Sequence, residues 1–420
     1  GELVIRHALP WHMNSGYTGM PEAAGEIRLA PTNQPLTPEQ IQLNLGNTAY
    51  QKKDWPQAAS EYERFLDLYP GSSERSVVMF RLAEAYRLMG SVNNARIVYE
   101  RLLNEFNAGD IIGVAAFRVG DIYMTERNYA AALPYFRKAA VRLKDPKLIN
   151  AANFYTARTL EALGKKTDAR FAYEDVLKMP NDNPYLEASR MSYALILKDT
   201  GRNDIALKQL EALAKTAQNP ELKARATVNL GLWQIEMQQN KKAEETLKNA
   251  LALPEIGVWK ELAQLGLMQL QFEQGKYKQV ADSFERSSQE FSPEARSQFA
   301  VLAGRAQRQM GNHREAIELF NSVTAAAPNS VFAREAAWER LAAMYQLDDP
   351  NLIGEIDAYL TNNPESQKRD QVQLMKAEVL YKKQDYAAAA PLYEALTKSR
   401  QLSGNMKAEA LTKLGWCYMQ

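Results

Sequence analysis

The 420 residues are 46% hydrophobic and 24% charged, which supplies a packed core and excludes a disordered chain. Lys plus Arg number 51 and Asp plus Glu 50, a formal charge of +1, so the basic face of a dedicated nucleic-acid binder is missing. One Cys and three His exclude a disulfide framework and a thiolate metal cluster, and no apolar run approaches the roughly 18 residues of a membrane span.

In chain order, residues 1–38 come first and differ in kind from the rest. They carry Pro10, Pro21, Pro31, Pro35 and Pro38, several glycines and no sustained helical period, and they read as an extended arm or tether. Leu3-Val4-Ile5, Trp11 and Met20 are apolar enough to dock. Thr37-Pro38-Glu39 then reads as a helix cap with Pro in the first turn.

From residue 39 the chain repeats itself. Gly46, Ala83, Gly120, Ala157, Ala194 and Gly231 recur every 37 residues, and the series runs on through Met268, Gly304, Ala342, Ala377 and Gly415. Twelve residues after each lies a second small residue: Ala58, Ala95, Ala132, Ala169, Ala206, Ala243, Val280, Ala316, Gly354 and Ala389. Four residues further on stands a large one, aromatic at Tyr62, Tyr99, Phe136, Tyr173, Phe284, Phe320 and Tyr393. An i, i+4 step puts the second small residue and the ring on one helix face. Two helices approach closely only where a small side chain sits at the crossing, with the ring filling the space one turn away.

Gly90, Gly164, Gly201, Gly275 and Gly311 fall seven residues after their small residue, where a helix end takes left-handed backbone. Pro70, Pro180, Pro254 and Pro328 stop the second helix. Each unit is therefore helix, turn, helix, connector, and must stack on neighbours to bury its faces. In the ninth unit Asp348-Asp349-Pro350 replaces the turn, Gly354 and Ala358 take the small and aromatic places, and a local irregularity is expected.

This pattern resembles the tetratricopeptide repeat family over residues 39–420. Leu45-Gly46, Trp55, Ala58, Tyr62 and Pro70 fall at that family's small, aromatic and proline positions. The period departs from the family's 34, so the extra residues are expected in a helix or a connector. The resemblance implies an all-α, right-handed superhelical solenoid of about ten helical hairpins plus the first helix of an eleventh. The chain stops inside that helix, and is expected to continue. Tyr69-Pro70-Gly71-Ser72 and Phe80-Arg81-Leu82-Ala83-Glu84-Ala85-Tyr86 are similar to repeats of bacterial cell-envelope proteins, the outer-membrane assembly lipoprotein and the Tol-Pal coordinator. That likeness implies a periplasmic or outer-membrane-associated place, with the cytoplasm as the alternative.

Catalytic signatures are weak. Leu163-Gly164-Lys165-Lys166-Thr167 looks like the tail of a phosphate loop, but Thr159 stands where the first glycine is needed. His7 and His12 lack a third metal ligand, and Cys417 reads as a buried, inert thiol. No enzyme activity, metal or cofactor is expected.

What remains is the groove that the first helices line in this family. The resemblance places Asn47, Tyr50, Arg87, Met124, Arg158, Lys198, Phe272, Arg305, Arg308 and Tyr381 there, one, four or five residues after the small residue. The mixture fits a peptide or protein partner, not a nucleic acid. The carboxylate clamp of chaperone-binding members needs Lys where this chain has Leu43. Phe80, Phe117, Phe154, Met191, Val228, Leu265 and Val301, three places before the small residue, read as core sooner than as groove. The leading expectation is a non-catalytic interaction scaffold in a bacterial envelope. The alternative is a sensing or regulatory module of a longer protein whose remaining part carries an enzymatic or membrane-embedded domain.

Overall fold

In the computed structural model, residues 27, 29, 35–179, 183–400 and 402–420 are described, and Pro180 and most of the 1–38 arm lie outside them. The described residues form 21 α-helices and two short 3-10 turns, with no strand among them. They fall into two compact units, Gly1–Leu222 and Lys223–Gln420.

The first unit holds α1 (Pro38–Gln51), α2 (Trp55–Leu68), α3 (Arg75–Leu88), α4 (Val92–Glu105), α5 (Asp110–Thr125), α6 (Tyr129–Arg142), α7 (Pro146–Ala162), α8 (Lys166–Leu177), α9 (Leu186–Asp199) and α10 (Asn203–Thr216). Nearly all of α11 (Pro220–Glu236) belongs to the second unit. It is followed there by α12 (Asn240–Leu251), α13 (Lys260–Glu273), α14 (Tyr277–Ser287), α15 (Pro293–Gln309), α16 (His313–Ala326), α17 (Val331–Gln346), α18 (Leu352–Asn362), α19 (Arg369–Lys382), α20 (Tyr386–Thr397) and α21 (Gly404–Met419).

The cap at Thr37 forms as expected: Gln40 N–H donates to Thr37 Oγ1 at 3.2 Å, and Thr37 N–H donates to Gln40 Oε1 at 3.0 Å. The extra residues of the long period lie in both places. First helices reach 17 residues in α7 and α15, and six-residue connectors such as 69–74 join hairpins.

The turn within a hairpin is one device repeated. A residue in left-handed backbone ends the first helix, and the next residue caps the second. Five units use glycine (Gly90, Gly164, Gly201, Gly275, Gly311; φ between 72 and 83°), while Lys53, Arg127, Gln238 and Gln384 take the same conformation at φ 59 to 62°. A non-glycine residue there carries a conformational strain that the packed hairpin holds in place.

The close crossing is equally plain. A Cβ on Gly46 would lie 2.6 Å from Tyr62 Cδ1, on Gly120 2.9 Å from Phe136 Cδ1, on Gly231 2.6 Å from Leu247 Cδ2, and on Gly304 2.6 Å from Phe320 Cε1. In each case the obstacle is the residue 16 places on, so the first helix rests directly on that side chain. Ala58, Ala95, Ala132, Ala169 and Ala206 are fully buried beside it. The seven apolar residues three places before the small residue are all buried as core, and Cys417 is buried too.

The ninth unit corrects the sequence register. Gly354 and Ala358 are exposed; Leu352, Ile356 and Tyr359 are the buried residues of α18. Asp348 takes the left-handed turn at φ 49°, but Asp349 and Pro350 then intervene before the cap at Asn351. The two added residues rotate α18 so that a different stripe faces the core. On α17, Leu341 occupies the position seven residues before the turn, in place of Ala342.

Candidate partner-binding surface

In the first two repeats the residue after the small residue is buried. Asn47 is 1% exposed, and its Oδ1 accepts from Tyr62 Oη at 2.9 Å and from Arg81 Nη1 at 3.0 Å. One repeat later Glu84 does the same work, accepting from Tyr99 Oη and from Arg118 Nε at 3.1 Å, with Arg87 Nη2 at 2.8 Å completing its shell. In the second unit Glu378 accepts from Tyr393 Oη at 2.8 Å and from Lys413 Nζ. The three acceptors share one position, and the cations share another, two residues before the small residue of the following repeat. Arg305 and Glu339 form the same rung with its charges exchanged, Nε to Oε1 at 2.8 Å, while Arg308 shares Glu339 at 3.0 Å.

These rungs fasten one first helix to the next. Arg118 and Glu84 side chains are only 12% and 9% exposed. Burial alone would lift the Glu84 carboxyl, but the hydrogen bond from Arg87 and the charges of Arg118 and Arg87 hold it below the ordinary carboxylate range. Burial and the adjacent Glu84 carboxylate push the Tyr99 phenol well above its usual value. Asp121 is raised by burial, against the opposing charges of Arg118 and Arg87.

Two residues assigned to the groove from sequence are thereby reassigned. Asn47 and Met124 are buried, the first inside a rung and the second at 6% exposure, so neither presents a surface to a ligand. Arg158 is held by Glu161 at 3.2 Å, which also receives Tyr173 Oη at 2.6 Å. Tyr50, Phe272 and Tyr381 are half-buried and lean edge-on against the first ring of their own second helix: Trp55 at 5.0 Å, Tyr277 at 5.2 Å and Tyr386 at 5.4 Å. Arg87 and Lys198 are half-buried at the end of their helices.

What stays open in the first unit is the row five residues after each small residue: Gln51, Leu88, Thr125, Ala162 and Asp199 are all exposed. The second unit holds Phe272, Arg305, Arg308 and Tyr381. The rung cations Arg81, Arg118 and Lys413 and the swapped Glu339 were missed in the sequence. For Arg118, Lys413 and Glu339 the signal was present as opposite charges about 34 residues apart, whereas Arg81 pairs with the uncharged Asn47.

Among the described residues, no group of three His, Cys, Asp or Glu side chains is placed to hold a metal, and no helix is long and apolar enough to cross a membrane. Two sequence profiles described as tetratricopeptide repeat match the chain, one at residues 43–110, 117–184 and 374–420, the other at 301–330. The chain belongs to the tetratricopeptide repeat (TPR) family. Its hairpins are TPR units, and the architecture is a TPR solenoid. TPR proteins bind proteins or peptides, and the family is generally non-catalytic.

No curated protein matches the chain. Solved structures similar to it include pilF of Pseudomonas aeruginosa, at 19% identity and TM-score 0.41 over 54% of this chain and 97% of that one. PilW, a type IV pilus biogenesis factor, is similar at 16% identity and TM-score 0.44 over 53% and 98%. The TPR domain of P58(IPK) is similar at 15% identity and TM-score 0.33 over 91% and 99%.

Proposed function

We propose that this TPR chain is a non-catalytic scaffold that holds a peptide or folded protein against the first helices of its first unit. The row Gln51, Leu88, Thr125, Ala162 and Asp199 carries the reading: it is exposed at every repeat, and four of the five side chains are uncharged. Around it, Arg87 and Arg158 are paired with carboxylates of their own helices. Such a surface offers apolar and hydrogen-bonding contacts with its charge already balanced, which suits a polypeptide and not a phosphate polymer. The resemblance of Tyr69–Ser72 and Phe80–Tyr86 to envelope-protein repeats supports a role in the assembly or maintenance of a bacterial envelope.

The test puts a photo-reactive phenylalanine at Leu88, at Thr125, and at Val141 as a control, in the full chain in its native cells. Val141 is 79% exposed on α6, a second helix. The same one or two envelope proteins should crosslink from Leu88 and Thr125 and not from Val141. Equal capture from all three positions removes the surface assignment, and capture of cytoplasmic proteins alone removes the envelope.

A further inference from the structure

In the first unit the rung is built twice with both of its donors and then loses them. Asn47 accepts from Tyr62 and Arg81, and Glu84 from Tyr99 and Arg118. Asp121 holds the same place one repeat on, directly after Gly120. By the same register its donors would stand sixteen residues after Gly120 and two before Ala157. Phe136 fills the first of these places and has no hydroxyl. Tyr155 fills the second, 2% exposed and stacked on Phe136 with ring centroids 5.6 Å apart. Among the described residues, no hydrogen bond or ion pair reaches the Asp121 carboxylate. Arg118 and Arg87 act on it through charge alone, and both already bond to Glu84. Arg158, next in the row, turns to Glu161.

The orphaned acceptor shares a face with the binding row. Asp121 is half-buried, and one turn along α5 lies the exposed Thr125, whose Oγ1 donates to the Asp121 carbonyl oxygen at 3.0 Å. A polypeptide lying on Thr125 would strip water from the Asp121 carboxylate. That desolvation is costly unless the polypeptide brings a hydrogen-bond donor. The local charges decide which donor. Two arginines on the single carboxylate of Glu84 leave one positive charge over, and Asp121 cancels it. The carboxylate thus lacks donors but not charge compensation, which favours a neutral N–H over a lysine or an arginine. A helical partner spends its backbone N–H groups internally beyond the first turn, whereas an extended segment keeps them free.

We propose that Asp121 is the acceptor, on the first-helix surface of the first unit, for a backbone N–H of a polypeptide bound in extended form. The assignment rests on the scaffold reading above and adds the bond that fixes the partner's conformation at the third repeat. The place that fastens helix to helix in the first two repeats is turned over to the partner in the third.

The test uses the full chain and random peptides displayed on phage, keeping those whose binding is lost in Thr125→Arg, a change at an exposed site. Each kept peptide is N-methylated at one backbone nitrogen at a time and measured against the wild-type chain and Asp121→Ala. One methyl group should weaken wild-type binding by about tenfold or more and leave binding to Asp121→Ala almost unchanged. Asp121→Ala should keep the wild-type urea midpoint, since no bond within the chain is lost. A fall in that midpoint would mean that the carboxylate is bonded internally and would overturn the proposal. Equal methylation effects in both proteins would overturn it while leaving the binding surface in place. So would peptides held through a lysine or arginine, recognised by a dependence on Asp121 that salt abolishes. Peptides indifferent to Thr125→Arg would remove the surface itself, and the proposal with it.

Discussion

At the scale of one residue, the contrast between Gly46 and Gly354 is decisive. Any side chain at Gly46 must displace the Tyr62 ring, whereas a Cβ at Gly354 meets nothing within 4 Å. Gly46→Leu should destabilise by about 1–3 kcal/mol through overpacking. Gly354→Ala should stabilise by up to about 0.5–1 kcal/mol, since an exposed glycine in the first turn of α18 only costs backbone entropy. Urea denaturation of both variants checks the pair. A large loss at Gly354 would restore the register read from sequence and refute the rotated α18. Asn47 offers a second measurement. Asn47→Ala leaves the Tyr62 hydroxyl and Arg81 guanidinium without their acceptor and should cost about 2–3 kcal/mol. An open groove residue would cost within about 0.5 kcal/mol. Asn47→Asp should be tolerated, because Glu84 and Glu378 fill the same place in their own repeats. If Ala is neutral and Asp is not, Asn47 belongs to the surface after all.

At the scale of the element, the hairpin was readable and the rung was not, for a physical reason. Gly46, Ala58 and Tyr62 are chosen by sterics that act within one unit, so a fixed spacing betrays them. A rung joins two units, and its chemistry is satisfied by Asn with Arg, Glu with Arg, Arg with Glu, or Glu with Lys. No single residue type holds either position throughout. The groove positions from the family pattern fell on Asn47 and Met124 for the same reason: an inward turn of helix backbone is visible only once the neighbouring helix is in place. Ile356 went unread because Asp349 and Pro350 shift a register that the earlier spacings had made seem fixed.

The rungs also predict a pH response. Glu84 is held below its ordinary value in the folded state, so its contribution is present above the unfolded carboxylate value near about 4.3 and is lost as pH falls through the folded one. Glu84→Gln should flatten that acid limb of the stability curve, measured by urea midpoints between pH 3 and pH 7. Tyr99 behaves in the opposite sense. Raised by burial and Glu84, it contributes fully below the ordinary phenol value of about 10, and the contribution fades as pH climbs through the folded value. Absorbance of ionised tyrosine should therefore appear in two steps, with Tyr62, Tyr99, Tyr173 and Tyr393 titrating only as the fold opens, because each is buried with a raised value. A single step near pH 10 in folded protein would mean that these hydroxyls reach water.

At the scale of the molecule, every pair of helices in substantial contact is separated by at most one helix in the chain. Such a chain has no long-range pairing through which damage at one repeat must be felt at a distant one, and its stability is close to a sum of unit and neighbour terms. Cooperativity should then be local. Gly304→Leu, which forces a side chain into Phe320 between α15 and α16, should raise hydrogen exchange across α15, α16 and α17, whose cores share Val301, Phe320 and Ala336. Exchange in α3 to α6 should stay as it was, because their core is a separate continuous cluster built around Phe80, Tyr99, Phe117 and Phe136. Gly120→Leu, pressing on Phe136, should produce the mirror result. Uniform loss of protection in either variant would show that the whole chain opens as one two-state body, and the neighbour-only account of its stability would fail. Local loss in both would also bear on function, since a scaffold whose repeats yield independently can adjust one stretch of its surface to a partner while the others keep their grip.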